Sequence, residues 1–94
     1  MPVGLLTLEI DLPYSHSLKE KRAVLQKLMG RLRSRFNAAV AELDHQDAWQ
    51  RSTIAIVTVS ASKSVVESSL RKMLEESEKV LGHDVSAHEF AFFE

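Results

Sequence analysis

Strict alternation at the start of the chain sets the first constraint. In residues 3–12, Leu6, Leu8, Ile10 and Leu12 fall on one face, and Val3, Leu5, Thr7, Glu9 and Asp11 on the other. Period two is the signature of a strand with one face buried and one open. Pro13 cannot continue a ladder and ends it. The period then changes. Ser17 stands three residues before Glu20, the spacing of a capping box. Leu18, Leu25, Leu28, Met29, Leu32 and Phe36 follow at 3.6-residue intervals, an amphipathic helix. Asn37 is expected to take the left-handed conformation that stops it.

The same sequence of patterns runs again after a short strand. Residues 38–43 read as that strand, and Asp44-His45-Gln46-Asp47 as a turn. Residues 50–60 are rich in β-branched side chains and form the clearest strand. Ser64 and Glu67 repeat the capping-box spacing. Val66, Leu70, Met73, Leu74 and Leu81 mark a second helix, and Gly82 closes it. Residues 84–93 make a last strand. The order is β-α-β-β-α-β. Right-handed crossovers reduce this to one economical arrangement: a single α+β domain over residues 1–94, the ferredoxin-like α/β plait. Its four-stranded antiparallel sheet has order 4-1-3-2, with both helices on one face.

That topology gathers one rim. The loop after the first strand, the start of the first helix, the 44–48 turn and the end of the second helix share an edge of the sheet. His16, Ser17, Lys19, Lys21, Arg22, Asp44, His45, Asp47 and His83 are expected there as neighbours, while His88 belongs mid-strand. A small metal-dependent or acid-base site at the His16/Asp44/His45/His83 edge is one reading, because a carboxylate beside an imidazole fixes its tautomer. No metal-ligand or nucleophile motif supports it. The chain has no cysteine, so thiolate chemistry and Cys-ligated zinc are excluded. No metal or cofactor is expected. No apolar run approaches the ~18 residues of a membrane span, and no signal peptide opens the sequence, so a cytoplasmic location without membrane contact is expected.

Charge is unevenly placed. The whole chain carries −1, which argues against a uniformly basic nucleic-acid binder; there is no DNA-binding signal. Yet residues 17–36 hold Lys19, Lys21, Arg22, Lys27, Arg31, Arg33 and Arg35 against Glu20 alone, a local +6 that leaves −7 elsewhere. Lys27, Arg31 and Arg35 form a row at i, i+4 and i+8. Like charges so spaced cost roughly 0.2–0.5 kcal/mol per pair. Two arrangements offset this. One is an anionic partner on the helix, with RNA phosphate the expected anion. Alternatively Glu67, Glu75, Glu76 and Glu78 pair with it from the second helix, and Asp44 and Asp47 from the turn.

The aromatic residues constrain the mode of any RNA contact. Plaits that read RNA on the sheet stack bases on aromatics of the two central strands, and strands 3–12 and 50–60 contain none. Phosphate contacts from the first helix are therefore the expected route. Trp49 follows the turn. It could stack a base or anchor a partner, with Arg51 adding contacts, but covering the end of the core is its commoner role. The open face of the sheet carries Val3, Leu5 and Thr7, joined by either Ala55, Val57 and Val59 or Ile54 and Ile56. So much aliphatic surface makes a homo-oligomer an alternative reading.

Taken together, Ser17-Leu18-Lys19-Glu20-Lys21-Arg22, Arg35-Phe36-Asn37, Val40-Ala41-Glu42, Asp44-His45-Gln46-Asp47 and Trp49-Gln50-Arg51 resemble the YlxP-like family, a bacterial domain of unknown function. The resemblance spans nearly the whole chain. It implies a ferredoxin-like plait. The family's genes commonly lie beside those for translation initiation and ribosome maturation factors, which implies an RNA- or ribosome-associated accessory role. No catalytic residue carries over.

Overall fold

The computed structural model describes all 94 residues. Strand β1 (Val3–Asp11) leads into helix α1 (Leu18–Arg35), then β2 (Ala38–Asp44) and β3 (Arg51–Val59), helix α2 (Lys63–Leu81), a single 3-10 turn at Gly82–Asp84 and strand β4 (Val85–Phe93). All pairings are antiparallel, and the sheet order is β2-β3-β1-β4. This is the predicted plait read from its other edge. The folded chain measures 42 × 20 × 19 Å.

The alternation in β1 sorts its side chains as expected. Leu6, Leu8, Ile10 and Leu12 are fully buried beneath the helices, together with Leu25, Leu28 and Leu32 of α1 and Val66, Leu70 and Met73 of α2. Ile54 and Ile56 of β3 join them, which leaves Ala55, Val57 and Val59 for the open face. Gly4 is the one position of β1 where α2 comes too close for a side chain: an added Cβ would lie 2.5 Å from Val66 Cγ1 and 2.8 Å from Leu70 Cδ1.

The helix ends follow the local sequence signals at Ser17 and Gly82 and depart from them at two other positions. Ser17 caps α1: its Oγ accepts from the Glu20 N–H at 3.1 Å, and the Glu20 carboxylate accepts from the His16 N–H at 2.9 Å. Gly82 closes α2 with φ 58°, in the region that favours glycine. Two expectations need correction. Ser62, not Ser64, caps α2. Its Oγ accepts from the Val65 N–H, and Ser64 only shares a hydroxyl contact with it. Asn37 does not stop α1 in a left-handed conformation. Phe36 ends the helix in extended backbone, its N–H still bonded to the Leu32 carbonyl, and the Asn37 carbonyl accepts from the Thr58 hydroxyl at 2.7 Å. A chain that enters β2 within two residues has no room for a reversing cap.

A candidate nucleic-acid interface on the first helix and its rim

The seven cations of α1 divide into two groups. Lys21 is 1% exposed. Its Nζ lies 3.0 Å from a Glu42 carboxylate oxygen, and donates to the backbone carbonyls of His45 at 2.7 Å, Gln46 at 3.2 Å and Arg51 at 3.3 Å. The same Glu42 oxygen accepts from the Ser52 hydroxyl at 2.6 Å. Removing an ammonium from water is costly unless a counter-charge and further acceptors replace the lost hydration, and here they do. Lys21 is therefore withdrawn from the anion-binding set: its charge ties α1 to the turn between β2 and β3. Arg33 donates to the Val40 carbonyl at 2.6 Å, and Arg35 pairs with Glu76 at 2.7 Å. These two also brace the fold, α1 against β2 and α1 against α2.

Lys19, Arg22, Lys27 and Arg31 remain. No carboxylate lies within 4 Å of any of them. The expected pairing with Glu67, Glu75, Glu78, Asp44 and Asp47 does not form; Glu76 alone of α2 reaches α1, and Glu42 takes the place expected for the turn aspartates. Lys19, Arg22 and Lys27 are exposed, with Ala23, Gln26 and Gly30 on the same outward stripe at i, i+3, i+4 and i+7 spacing. Nothing lies within 4 Å of where a Gly30 Cβ would stand. The stripe combines long cations with small residues, so a partner can approach the helix backbone closely.

The rim itself assembles as the topology requires. Lys21, four residues after Ser17, holds the His45 carbonyl. The Leu12 N–H bonds the Gln50 carbonyl at 2.9 Å, and the Gln50 side chain donates to the Pro13 and Ser15 carbonyls. His45 has φ 62°, a left-handed conformation rare outside glycine. Its N–H is bonded to its neighbour Asp44 Oδ1 at 2.8 Å, and its carbonyl is shared by Lys21 and the Ala48 N–H. Those contacts hold the strained residue in place.

The braced turn projects Trp49. It is 54% exposed, contrary to the core-covering role expected for it. With Asp47, Ala48, Gln50 and Arg51 it lines a shallow notch of about 540 Å³. The histidine edge is looser. His45 Nε2 lies 3.9 Å from Asp44 Oδ2, while His16 and His83 are exposed on separate loops. No three histidine, aspartate or glutamate side chains come together as a metal-ligand set.

Two features of the rim were not foreseen. Tyr14 donates its hydroxyl to Asp84 Oδ2 at 2.9 Å, tying the β1–α1 loop to the turn before β4. Glu9, Asp11, His45, Arg51, Ser52 and Ser86 line a polar cleft of about 250 Å³, where β1 and β4 lose register after Glu9. Strand periodicity placed Glu9 and Asp11 on the open face but gave no reason to join them to His45. Partial burial pushes the Tyr14 phenol above its ordinary pKa of 10.0, and the hydrogen bond and charge of Asp84 push the same way. The bonded neutral phenol thus stabilises the folded chain fully below pH 10, and that contribution is lost as pH rises through the elevated value. Ultraviolet titration of this sole tyrosine should give a midpoint above that of free tyrosine, and Asp84→Asn should lower it.

Fold and rim together define a ferredoxin-like plait with a basic outer helix and a lysine-braced turn. The family model described as "Protein of unknown function (DUF503)" matches residues 3–89, and the chain belongs to that family. It is 38% identical over 72 residues to the uncharacterized protein YlxP of Bacillus subtilis strain 168, covering 77% of this chain and 78% of that one. Among solved structures, a putative antibiotic biosynthesis monooxygenase from Bordetella bronchiseptica superposes with TM-score 0.58 at 12% identity, covering 100% of this chain and 97% of that one. A dimeric ferredoxin-like protein of unknown function from Thermobifida fusca superposes with TM-score 0.58 at 8% identity, covering 99% and 90%. At such identities the two structures establish the fold alone. No helix is long and apolar enough to cross a membrane.

Proposed function

We propose that this domain is an accessory RNA-binding protein, acting by binding rather than catalysis, and that the outward stripe of α1 makes its phosphate contacts. The observation that carries the reading is the set of four cations, Lys19, Arg22, Lys27 and Arg31, whose side chains make no ion pair or hydrogen bond in the fold, while Lys21, Arg33 and Arg35 are each bonded within it. Unpaired like charges on one helix are self-repelling, and an external polyanion removes that cost. The exposed Trp49 on its braced turn supplies a surface on which an unpaired base can stack. Ribosomal or other structured RNA with accessible single-stranded segments suits both features.

The test is a salt titration of binding to a single-stranded RNA oligonucleotide. Four phosphate contacts give a slope of log K against log salt of about −3. Absence of binding at low salt, or binding indifferent to salt, overturns the proposal.

A further inference from the structure

The open face of the sheet is polarised along the strands. Toward one end it carries Val3, Leu5, Ala39, Val57, Val59, Ala91 and Phe93; toward the other, Glu9, Asp11 and Arg51. Val57 and Val59 are each 39% exposed and Phe93 is 55% exposed. Asp11 and Arg51 are direct cross-strand partners, yet they form no ion pair with each other or with any other group of the chain.

We infer that this face binds a second copy of the same chain, across a two-fold axis that runs parallel to the strands over the β1–β3 boundary. Stacking sheet on sheet about that axis preserves height along the strands and exchanges left for right. The sheet order then sets β1 over the partner's β3 and β4 over the partner's β2. The observed register fixes what meets. Leu5 faces the partner's Val57, and Val3 faces the partner's Val59. Asp11 faces the partner's Arg51, so the two charges left unpaired within each chain form two symmetric ion pairs between chains. Phe93, level with Val3 on β4, arrives over a shallow depression of about 330 Å³ lined by Asn37, Ala38, Ala39, Val57, Thr58 and Val59. Knob and hollow lie at matching heights on opposite edges of one sheet, as a self-complementary interface requires. The alternative axis, perpendicular to the strands, would set the apolar end over the acidic end.

The area suffices. Nine-residue strands in a four-stranded sheet span roughly 30 by 19 Å, or ~570 Å² per face. Two faces exceed the ~1,000 Å² at which specific interfaces begin. The mating surface lies opposite the helices, so α1 remains free on each outer side.

The experiment is sedimentation equilibrium of the full chain over a wide concentration range, with circular dichroism confirming that each variant folds. Wild-type protein is expected to be dimeric. Phe93→Ala and Val57→Lys are each expected to weaken the dimer at least ~10-fold. Charge swaps give the decisive arm. Arg51→Asp alone and Asp11→Arg alone place like charges at both contacts and should each dissociate. An equimolar mixture of the two restores opposite charges at both contacts and should form a heterodimer. A wild-type chain that stays monomeric throughout overturns the inference. So does a dimer that survives both Phe93→Ala and Val57→Lys, or a mixture of the two charge variants that remains monomeric.

Discussion

Replacing Lys21 with Met is expected to destabilise the domain by about 3–5 kcal/mol, the cost of breaking a buried ion pair from one side. The substitution keeps most of the side chain's volume, so the loss comes from polar groups rather than a cavity. Glu42 loses its counter-charge, and the His45, Gln46 and Arg51 carbonyls lose a donor that solvent cannot easily replace. A domain of 94 residues is stable by about 5–14 kcal/mol in total. The variant therefore forfeits a large share of its margin, and its Tm should fall by well over 10 °C. Glu42→Gln alone should cost a comparable amount, since it leaves the buried Lys21 ammonium without its counter-charge. The double variant should lose less than the sum, because both substitutions break one interaction. Denaturant titration of the three variants checks this. A Lys21→Met protein as stable as wild type would mean that the ammonium is solvated and the turn held by something else.

Reversing the four unpaired cations is the second large effect. Lys19→Glu, Arg22→Glu, Lys27→Glu and Arg31→Glu together should abolish RNA binding near physiological salt, with little change in stability. Each side chain makes no ion pair in the fold, and Arg31 alone is partly buried. Non-specific binding through phosphate contacts is almost wholly electrostatic, and a stripe changed from +4 to −4 repels what it attracted. Arg35→Gln serves as the control. Its charge is neutralised by Glu76, so its loss should leave the salt slope nearly unchanged. Binding that follows Arg35 rather than the four would place the interface at the other end of α1.

How far the sequence reveals this molecule depends on which signals are local. Element order, strand faces and the core of Leu6, Leu8, Ile10, Leu25, Leu28 and Leu70 follow from periodicity, because each residue's face is decided by its near neighbours in the chain. Crossover handedness then brought Ser17 and His45 to one rim. Lys21 could not be read this way. In sequence it is one of seven similar cations; what separates it is a carboxylate and three carbonyls supplied by residues 42–51, which only the folded chain brings to it. Trp49 failed for the opposite reason. Its ring counts as core material by composition, but the turn that carries it is held outward by Lys21 and Gln50. The Ser62 cap shows a smaller limit: several serines at 60–69 offer competing frames, and Ser62 is the one whose hydroxyl reaches a first-turn N–H. Phe93 and the Ala39–Val59 hollow lie on opposite edges of the sheet, so their relation appears only once strand register is known.

RNA contact through the first helix is the expected role of this chain in the cell. Its most direct test is purification of the tagged protein from lysate at low salt, with and without ribonuclease, beside the variant reversed at Lys19, Arg22, Lys27 and Arg31. RNA should accompany the wild-type protein, disappear on nuclease treatment and be absent from the variant. A wild-type protein that emerges free of RNA, or a reversed variant that retains it, rules out that contact.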